Sequence, residues 1–162
     1  MSRLHRKMNV CDMIQRKQSV FLFLAAVFGI LALCMQLATV SAEGLTVYRV
    51  FSLWSIGQSG TCSFMSWPLF VLMLLSTTLS LFTIFIYKRR PFQARLCMVN
   101  ILIILLWYIA MVVISKQMAP DAMNFHVEIA SVFPAVAAIL IFMARKAILA
   151  DEKLVRAADR IR

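Results

Sequence analysis

Residues 67–87 read WPLFVLMLLSTTLSLFTIFIY and contain no charged side chain. A helix of this length is about 30 Å long, which matches the hydrocarbon core of a bilayer. Inside lipid the backbone must satisfy its own hydrogen bonds, so this segment is predicted to be a membrane-spanning helix. Three further runs share its apolar character, and charges enter only the end of the last one: residues 20–40, 96–115 and 129–149.

The composition supports this interpretation. The chain has 162 residues, of which 62% are apolar and 15% are charged, so a water-soluble fold cannot bury the apolar surplus. The net charge of +10 is of the kind that often indicates nucleic-acid binding. Here the basic residues flank apolar runs, which favours the anionic headgroups of a bilayer as their partner and argues against nucleic acid.

The basic residues also predict an orientation. All but Arg49 and Lys116 of the 17 lysines and arginines lie in residues 1–19, in the loop 88–95 or after residue 144. Basic residues stay on the cytoplasmic side of a membrane, which places both termini there and the loops 41–66 and 116–128 outside. The predicted fold is an all-α, four-helix transmembrane bundle with both termini in the cytoplasm.

One alternative shortens the bundle. The stretch VSAEG, residues 40–44, has the small residues that signal peptidase reads, and a basic region and an apolar run precede it. Cleavage after Ala42 would leave three spans. The apolar run is longer than a usual signal core, so the uncleaved chain is the favoured interpretation.

The outer loop and the tail carry their own patterns. Residues 46–55, TVYRVFSLWS, are β-branched and aromatic and precede the turn-forming IGQSG, which predicts a short hairpin over the bundle. In the tail, residues 150–162, Leu154, Ala158 and Ile161 share one helical face, and Glu152 precedes Arg156 by four positions. The tail is predicted to be an amphipathic cytoplasmic helix that continues the last span.

Signatures of enzymatic chemistry are sparse. Only Cys62 is predicted to lie outside, so no disulfide can close within the chain there. His126, Glu128 and Asp121 lie near the outer surface, but their spacing matches no metal signature, and a solvated polar loop is the favoured interpretation. The sequence therefore predicts no metal, no cofactor and no catalytic residue.

Polar residues within the spans form one pattern. Ser76, Ser80 and Thr83 lie on one helical face, and Asn100 is the only amide of the third span. Such groups join helices in membranes, or they can line a pore between subunits; packing is the favoured interpretation. No ionisable residue lies in a span interior, so the sequence offers an ion-coupled carrier no binding group. Pro134 is expected to kink the last span.

Two segments resemble a known family. The stretches MIQRKQSVFLFLAA, residues 13–26, and ARKAILADEKLVRAADRIR, residues 144–162, resemble the two ends of a bacterial domain-of-unknown-function family. The resemblance implies short four-span inner-membrane proteins, mostly from Bacteroidetes, that begin at the equivalent of Met13. Residues 1–12 would then be a start-site extension. The resemblance implies no activity and no site residues.

Three functional hypotheses follow from these patterns. The first is a non-enzymatic accessory or scaffolding protein of the bacterial envelope, bound to a membrane-protein partner or to further copies of itself. The basic loop and the tail would supply its cytoplasmic contact surface, through Arg89, Arg90, Arg156 and Arg160. The second is an oligomeric channel or carrier that uses the hydroxyl face. The third is an enzyme acting on a lipid or a quinone through the acidic and histidine residues of the second outer loop.

Overall fold

The computed structural model is mostly helical and contains one small β-sheet. It describes the backbone of residues 2–42, 45–57, 60–86, 90–118 and 124–159, and the side chains of residues 18–41, 48–57, 60–86, 91–118, 124–153 and 157.

Four long helices account for most of the chain: α1 (Ser2–Cys34), α2 (Trp67–Phe85), α3 (Arg90–Met118) and α4 (Phe133–Asp159). Within the described ranges, three segments are long and apolar enough to cross a membrane: Trp67–Phe85, Pro91–Met118 and Ile129–Lys153. Gln18–Cys34 in α1 is a shorter apolar helix. The helical part of the chain is therefore suited to a bilayer by length and composition.

Proline marks the start of three helices. Pro68, Pro91 and Pro134 are each the second residue of their helix, where the backbone N–H has no intrahelical acceptor and the fixed φ of proline is already helical. A 3-10 helix, Ile129–Val132, leads into α4. Pro134 therefore lies in the first turn of α4, next to the 3-10 helix, and the kink expected in the last span stays a prediction.

The helices pack side by side. α1 packs mainly against α2 and α4, and α3 packs mainly against the same two helices, so α1 and α3 are diagonal to each other. Leu22, Ile104 and Ile141 lie in the half of the core farther from the sheet, whereas Trp107 and Met73 lie in the half nearer to it. Each helix buries one face against two neighbours.

The two segments between helices on one side form a single antiparallel sheet. Its strands are β1 (Gln36–Ala42), β2 (Leu45–Phe51), β3 (Ser55–Gly57), β4 (Cys62–Ser63) and β5 (Asn124–Val127), in the order β4-β3-β2-β1-β5. The central strand β1 pairs with β2 on one side, where Thr39 faces Arg49. It pairs with β5 on the other, where Thr39 faces His126.

The sheet has one apolar and one polar face. Ala38, Val40 and Val50 are buried and join the core formed by the helix ends. Thr39 and its partner His126 are on the opposite face, because successive side chains of a strand alternate. The sheet therefore closes one end of the helices with its apolar face and turns polar groups outward.

Several predicted boundaries are wrong. The first apolar run was expected to be helical over residues 20–40, but α1 ends at Cys34 and residues 36–40 belong to β1. An apolar run does not by itself distinguish a helix from a central strand. The hairpin expected in the loop 41–66 is part of a five-stranded sheet, and the fold is not all-α. The loop 116–128 contains the last turn of α3 and β5.

The bounds of the later helices also differ from the predicted ones. α3 begins at Arg90, inside the predicted loop 88–95, and runs past residue 115 to Met118. α2 ends at Phe85, two residues before the predicted end of its span. The predicted fourth span, residues 129–149, begins with the 3-10 helix, and α4 then runs without a break into the tail as far as Asp159.

Candidate functional site

The helices expose apolar side chains and bury polar ones. Phe82 and Phe85 of α2 are more than half exposed, and so are Leu102 and Ile109 of α3 and Ile139 of α4. Ser76, Ser80, Thr83 and Asn100 are each at most 3% exposed. Water-soluble folds have the opposite distribution, because the hydrophobic effect drives apolar surface inward. The outer surface of the helices is therefore suited to lipid.

A buried polar cluster joins α2 to α3. Ser76 Oγ donates a hydrogen bond to Asn100 Oδ1 at 2.6 Å, and Asn100 Nδ2 donates to Ser80 Oγ at 2.7 Å. The two serines lie one helical turn apart, so one amide from the facing helix reaches both. Interhelical hydrogen bonds of this kind contribute roughly 0.6–2 kcal/mol each in a membrane.

A second contact extends the cluster toward the end of α2. Gln93 Nε2 donates to the backbone oxygen of Thr83 at 3.1 Å. Thr83 Oγ1 donates to the oxygen of Leu79 in its own helix at 2.6 Å. The hydroxyl of Thr83 is therefore satisfied within α2, and its backbone, not its side chain, makes the contact with α3.

The same face of α2 also receives α1. A Cβ atom built on Gly29 would lie 3.0 Å from Thr77 Oγ1 and 3.3 Å from Met73 Cε. Thr77 Oγ1 itself donates to the oxygen of Met73. Glycine therefore allows a close approach of the two helices, and a side chain here would require Thr77 or Met73 to shift by a few tenths of an ångström.

The sheet is fastened to the helix ends by buried hydrogen bonds. Ser131 Oγ donates to the oxygen of Leu37 at 2.6 Å, and the backbone N–H of Glu128 donates to the same oxygen at 3.0 Å. Tyr108 Oη donates to the oxygen of Ser131 at 2.8 Å. These bonds tie α3, the start of α4 and β1 together at one point.

A cavity of about 460 Å³ lies beside this junction. Its walls come from α3, β5 and the start of α4, and they are almost entirely apolar: Tyr108, Met111, Val112, Ser115, Phe125, Val127, Ser131, Val132 and Ala135. The hydroxyls of Tyr108, Ser115 and Ser131 already donate to backbone oxygens. Among the described residues, the walls of this cavity include no charged side chain, histidine or cysteine.

The structure describes two of the three residues considered for metal or acid–base chemistry, His126 and Glu128. His126 is exposed on β5, and Glu128 Oε1 accepts a hydrogen bond from Thr39 Oγ1 at 3.4 Å. Asp121 lies outside the described residues. Among the residues that the structure describes, no three His, Cys, Asp or Glu side chains group in a way that could hold a metal ion.

The predicted contact arginines cannot be placed. Arg89 and Arg160 lie outside the described residues, and Arg90 and Arg156 lie in described helices but their side chains do not belong to the described set. By contrast, the structure brings Ser76, Ser80 and Asn100 into direct contact, and it places Thr83 at the same interface.

Several interface contacts were not predicted from the sequence. Gln93 follows a proline and a run of basic residues, and this context suggested a loop. Ser131 and Tyr108 donate hydrogen bonds to backbone oxygens. Every residue has a backbone oxygen, so the sequence does not reveal which residue accepts these bonds. The i, i+4 spacing of Ser76 and Ser80 indicates a shared helical face, but it does not indicate which helix packs against that face.

Comparison with known proteins gives one match. No curated protein matches the chain. The profile of the family described as "Domain of unknown function (DUF4293)" matches residues 14–161, which include all four helices and the sheet except the first part of α1. This match confirms the resemblance seen at the two ends of the sequence. The chain belongs to the DUF4293 family.

Proposed function

We propose that this chain is a four-span protein of the bacterial inner membrane with both termini in the cytoplasm, and that it serves as a non-enzymatic accessory or scaffolding component. The observation that carries the proposal is the inverted surface: apolar side chains cover the outside of the helices, while Ser76, Ser80 and Asn100 satisfy one another inside. Such a surface favours burial in lipid.

α1 is the fourth span in this proposal. Its apolar part, Gln18–Cys34, has 17 residues, at the lower limit for a transmembrane helix. Val20, Phe23 and Ile30 are about half exposed or more, as on the other helices. Its opposite face packs between α2 and α4. A helix that shares the apolar outer surface of its neighbours also shares their surroundings.

The distribution of basic residues supports the orientation. Arg49 and Lys116 are the basic residues at the end that carries the sheet, and both are exposed. The remaining lysines and arginines precede the apolar part of α1, lie around the start of α3 or follow residue 144. The sheet would therefore face the periplasm.

Reporter fusions test the topology. We expect a fluorescent protein fused to the N-terminus or after Arg162 to fluoresce, since this reporter works only in the cytoplasm. We expect a phosphatase inserted at the exposed Gly60 to be active, since this reporter works only in the periplasm. The N-terminal fusion should remain on the full-length chain. Loss of the fusion by cleavage after Ala42, or an N-terminal fusion that is dark, would contradict a four-span arrangement.

The internal use of polar groups supports a structural role over transport. The hydroxyls proposed as a pore face, Ser76 and Ser80, are buried within one chain and bonded to Asn100, so they are not available to a pore between copies. The described walls of the apolar cavity carry no charged side chain, histidine or cysteine that would act on a lipid or quinone. Both observations favour a protein that acts by binding.

Crosslinking in whole cells tests the scaffolding role. We expect the intact protein to be recovered with a stable membrane-protein partner, or as a defined oligomer, after mild detergent extraction. Arg156→Glu with Arg160→Glu should weaken this association, whereas Lys116→Glu at the opposite end should not. A protein that remains monomeric and without a partner, both after crosslinking in cells and after mild detergent extraction, would contradict the scaffolding role.

A further inference from the structure

A second cavity lies between the start of α3 and the part of α4 from Arg145 to Glu152. Its volume is about 460 Å³, and its walls combine apolar and charged side chains: Pro91, Ala94, Arg95, Met98, Val99, Arg145, Leu149 and Glu152. It is at the end of the helices that is opposite to the sheet, because α3 begins here and α4 ends here. In the proposed orientation this cavity opens at the cytoplasmic leaflet.

Arg145 is an unusual wall residue. It lies within the Ile129–Lys153 segment, which is apolar enough to cross a membrane. The structure buries Arg145 Nε without a hydrogen-bond partner. Arginine within a membrane helix is costly and normally marks a site where the guanidinium meets an anion or a polar group. Arg145 also lines the cavity, so an anion bound there would supply an acceptor for its guanidinium group.

The charges of the cavity favour an anion. Arg95 and Arg145 contribute two positive charges. Glu152 contributes one negative charge, and it already interacts with another group of the protein. Pro91 is in the first turn of α3, so the positive end of the helix dipole lies close by. Guanidinium groups bind phosphate oxygens through paired hydrogen bonds.

The apolar walls favour an acyl chain. Met98 and Val99 of α3 are nearly half exposed on the outer surface of the helices, and Leu149 lines the facing wall on α4. The basic part of the cavity thus continues into a lipid-facing apolar part. One molecule that has both features is a phospholipid with an anionic headgroup, and basic pockets between membrane helices on the cytoplasmic side commonly bind such lipids.

We propose that the cavity between α3 and α4 is a binding site for one anionic glycerophospholipid, with Arg95 and Arg145 on its phosphate and Met98, Val99 and Leu149 along an acyl chain. The proposal rests on the proposed membrane insertion and orientation, and it assigns a specific lipid site to that surface.

Lipid retention tests the site. The purified full-length protein is reconstituted with equal amounts of phosphatidylglycerol and phosphatidylcholine, and the lipids retained per chain are measured by native mass spectrometry. We expect one retained phosphatidylglycerol. Arg145→Gln and Arg95→Gln should each reduce its retention about fivefold, as expected for the loss of one basic contact at a membrane surface.

The matched control is Lys146→Gln. Lys146 is the neighbour of Arg145, carries the same charge and is exposed, but its Nζ lies 5.2 Å from the centre of the Phe142 ring and it does not line the cavity. Its substitution should leave retention unchanged. Val99→Trp keeps all charges and fills the apolar part, so it should also reduce retention. Equal retention by Arg145→Gln and Lys146→Gln would overturn the site.

Two further arms separate other outcomes. Inorganic phosphate at millimolar concentration should not displace the lipid, because phosphate lacks the acyl contact; displacement would overturn the assignment to a lipid. Resistance of the wild-type chain to alkaline extraction is measured in the same membranes. An inserted protein that shows no lipid preference overturns this site alone, whereas a chain that is extracted overturns the proposed function as well.

Discussion

Asn100 shows how one polar side chain can decide the contact between two membrane helices. Its amide accepts from Ser76 at 2.6 Å and donates to Ser80 at 2.7 Å, so both ends of the amide are used. In the bilayer core, a polar group without a protein partner has no water molecule with which to form a hydrogen bond. The spacing of the serines could be read from the sequence, but the choice of Asn100 as their partner depends on the register of α3 against α2.

Asn100→Leu should lower the free energy of unfolding by about 1–2 kcal/mol, since it removes two interhelical hydrogen bonds and leaves two buried hydroxyls. Reversible unfolding in detergent or bilayers measures the change. Thr78→Val is the control, because the Thr78 hydroxyl is exposed and bonds only to Leu74 and Leu75 of its own helix. An Asn100 variant as stable as the control would contradict the role of the cluster.

The absence of a side chain at Gly29 allows α1 to pack closely against α2. Thr77 fills the space where a Cβ would lie, at 3.0 Å from its Oγ1 and 3.1 Å from its Cγ2. The sequence shows Ala25 and Gly29 as a small-residue pair that suits close helix contact. It does not show that Thr77 is the residue opposite, because that depends on the rotation of both helices.

Gly29→Val should destabilise the protein by about 1–3 kcal/mol, since overpacking forces neighbouring atoms to move. Thr77→Ala in the same chain should recover part of this loss by removing the two atoms nearest the added Cβ. The thermal midpoint in detergent reports both effects. Ile30→Val, at an exposed neighbouring position, should have little effect. Purely additive losses for Gly29→Val and Thr77→Ala would exclude the contact.

At the scale of the whole molecule, the sheet ties two segments that are far apart in sequence. β1 follows α1, and β5 precedes α4, yet they pair with Thr39 opposite His126. The buried Ser131 and Tyr108 bonds hold this junction on the helix ends. In the proposed orientation the whole sheet lies outside the cytoplasm, where thiols oxidise.

A disulfide therefore tests register and orientation together. In a chain whose native cysteines are replaced by serine, Thr39→Cys with His126→Cys should form a disulfide in growing cells, since directly opposed antiparallel residues are about 4.5–5.5 Å apart at Cα. Mass spectrometry of the alkylated protein detects it. Thr39→Cys with Asn124→Cys, two residues out of register, is the control. Reduced thiols in the first pair would contradict either the pairing or the periplasmic location.

The sequence alone was sufficient for the apolar character of the helices and for their approximate positions, because helical hydrogen bonds are local and a long apolar run has few alternatives in lipid. It was also sufficient for the family. Only the tertiary structure decided that residues 36–40 leave the helix for a central strand, since β1 exists by pairing with β2 and β5. The cavity that holds Arg95 and Arg145 was likewise decided there: these residues are fifty positions apart, and only the packing of α3 against α4 brings their charges to one place.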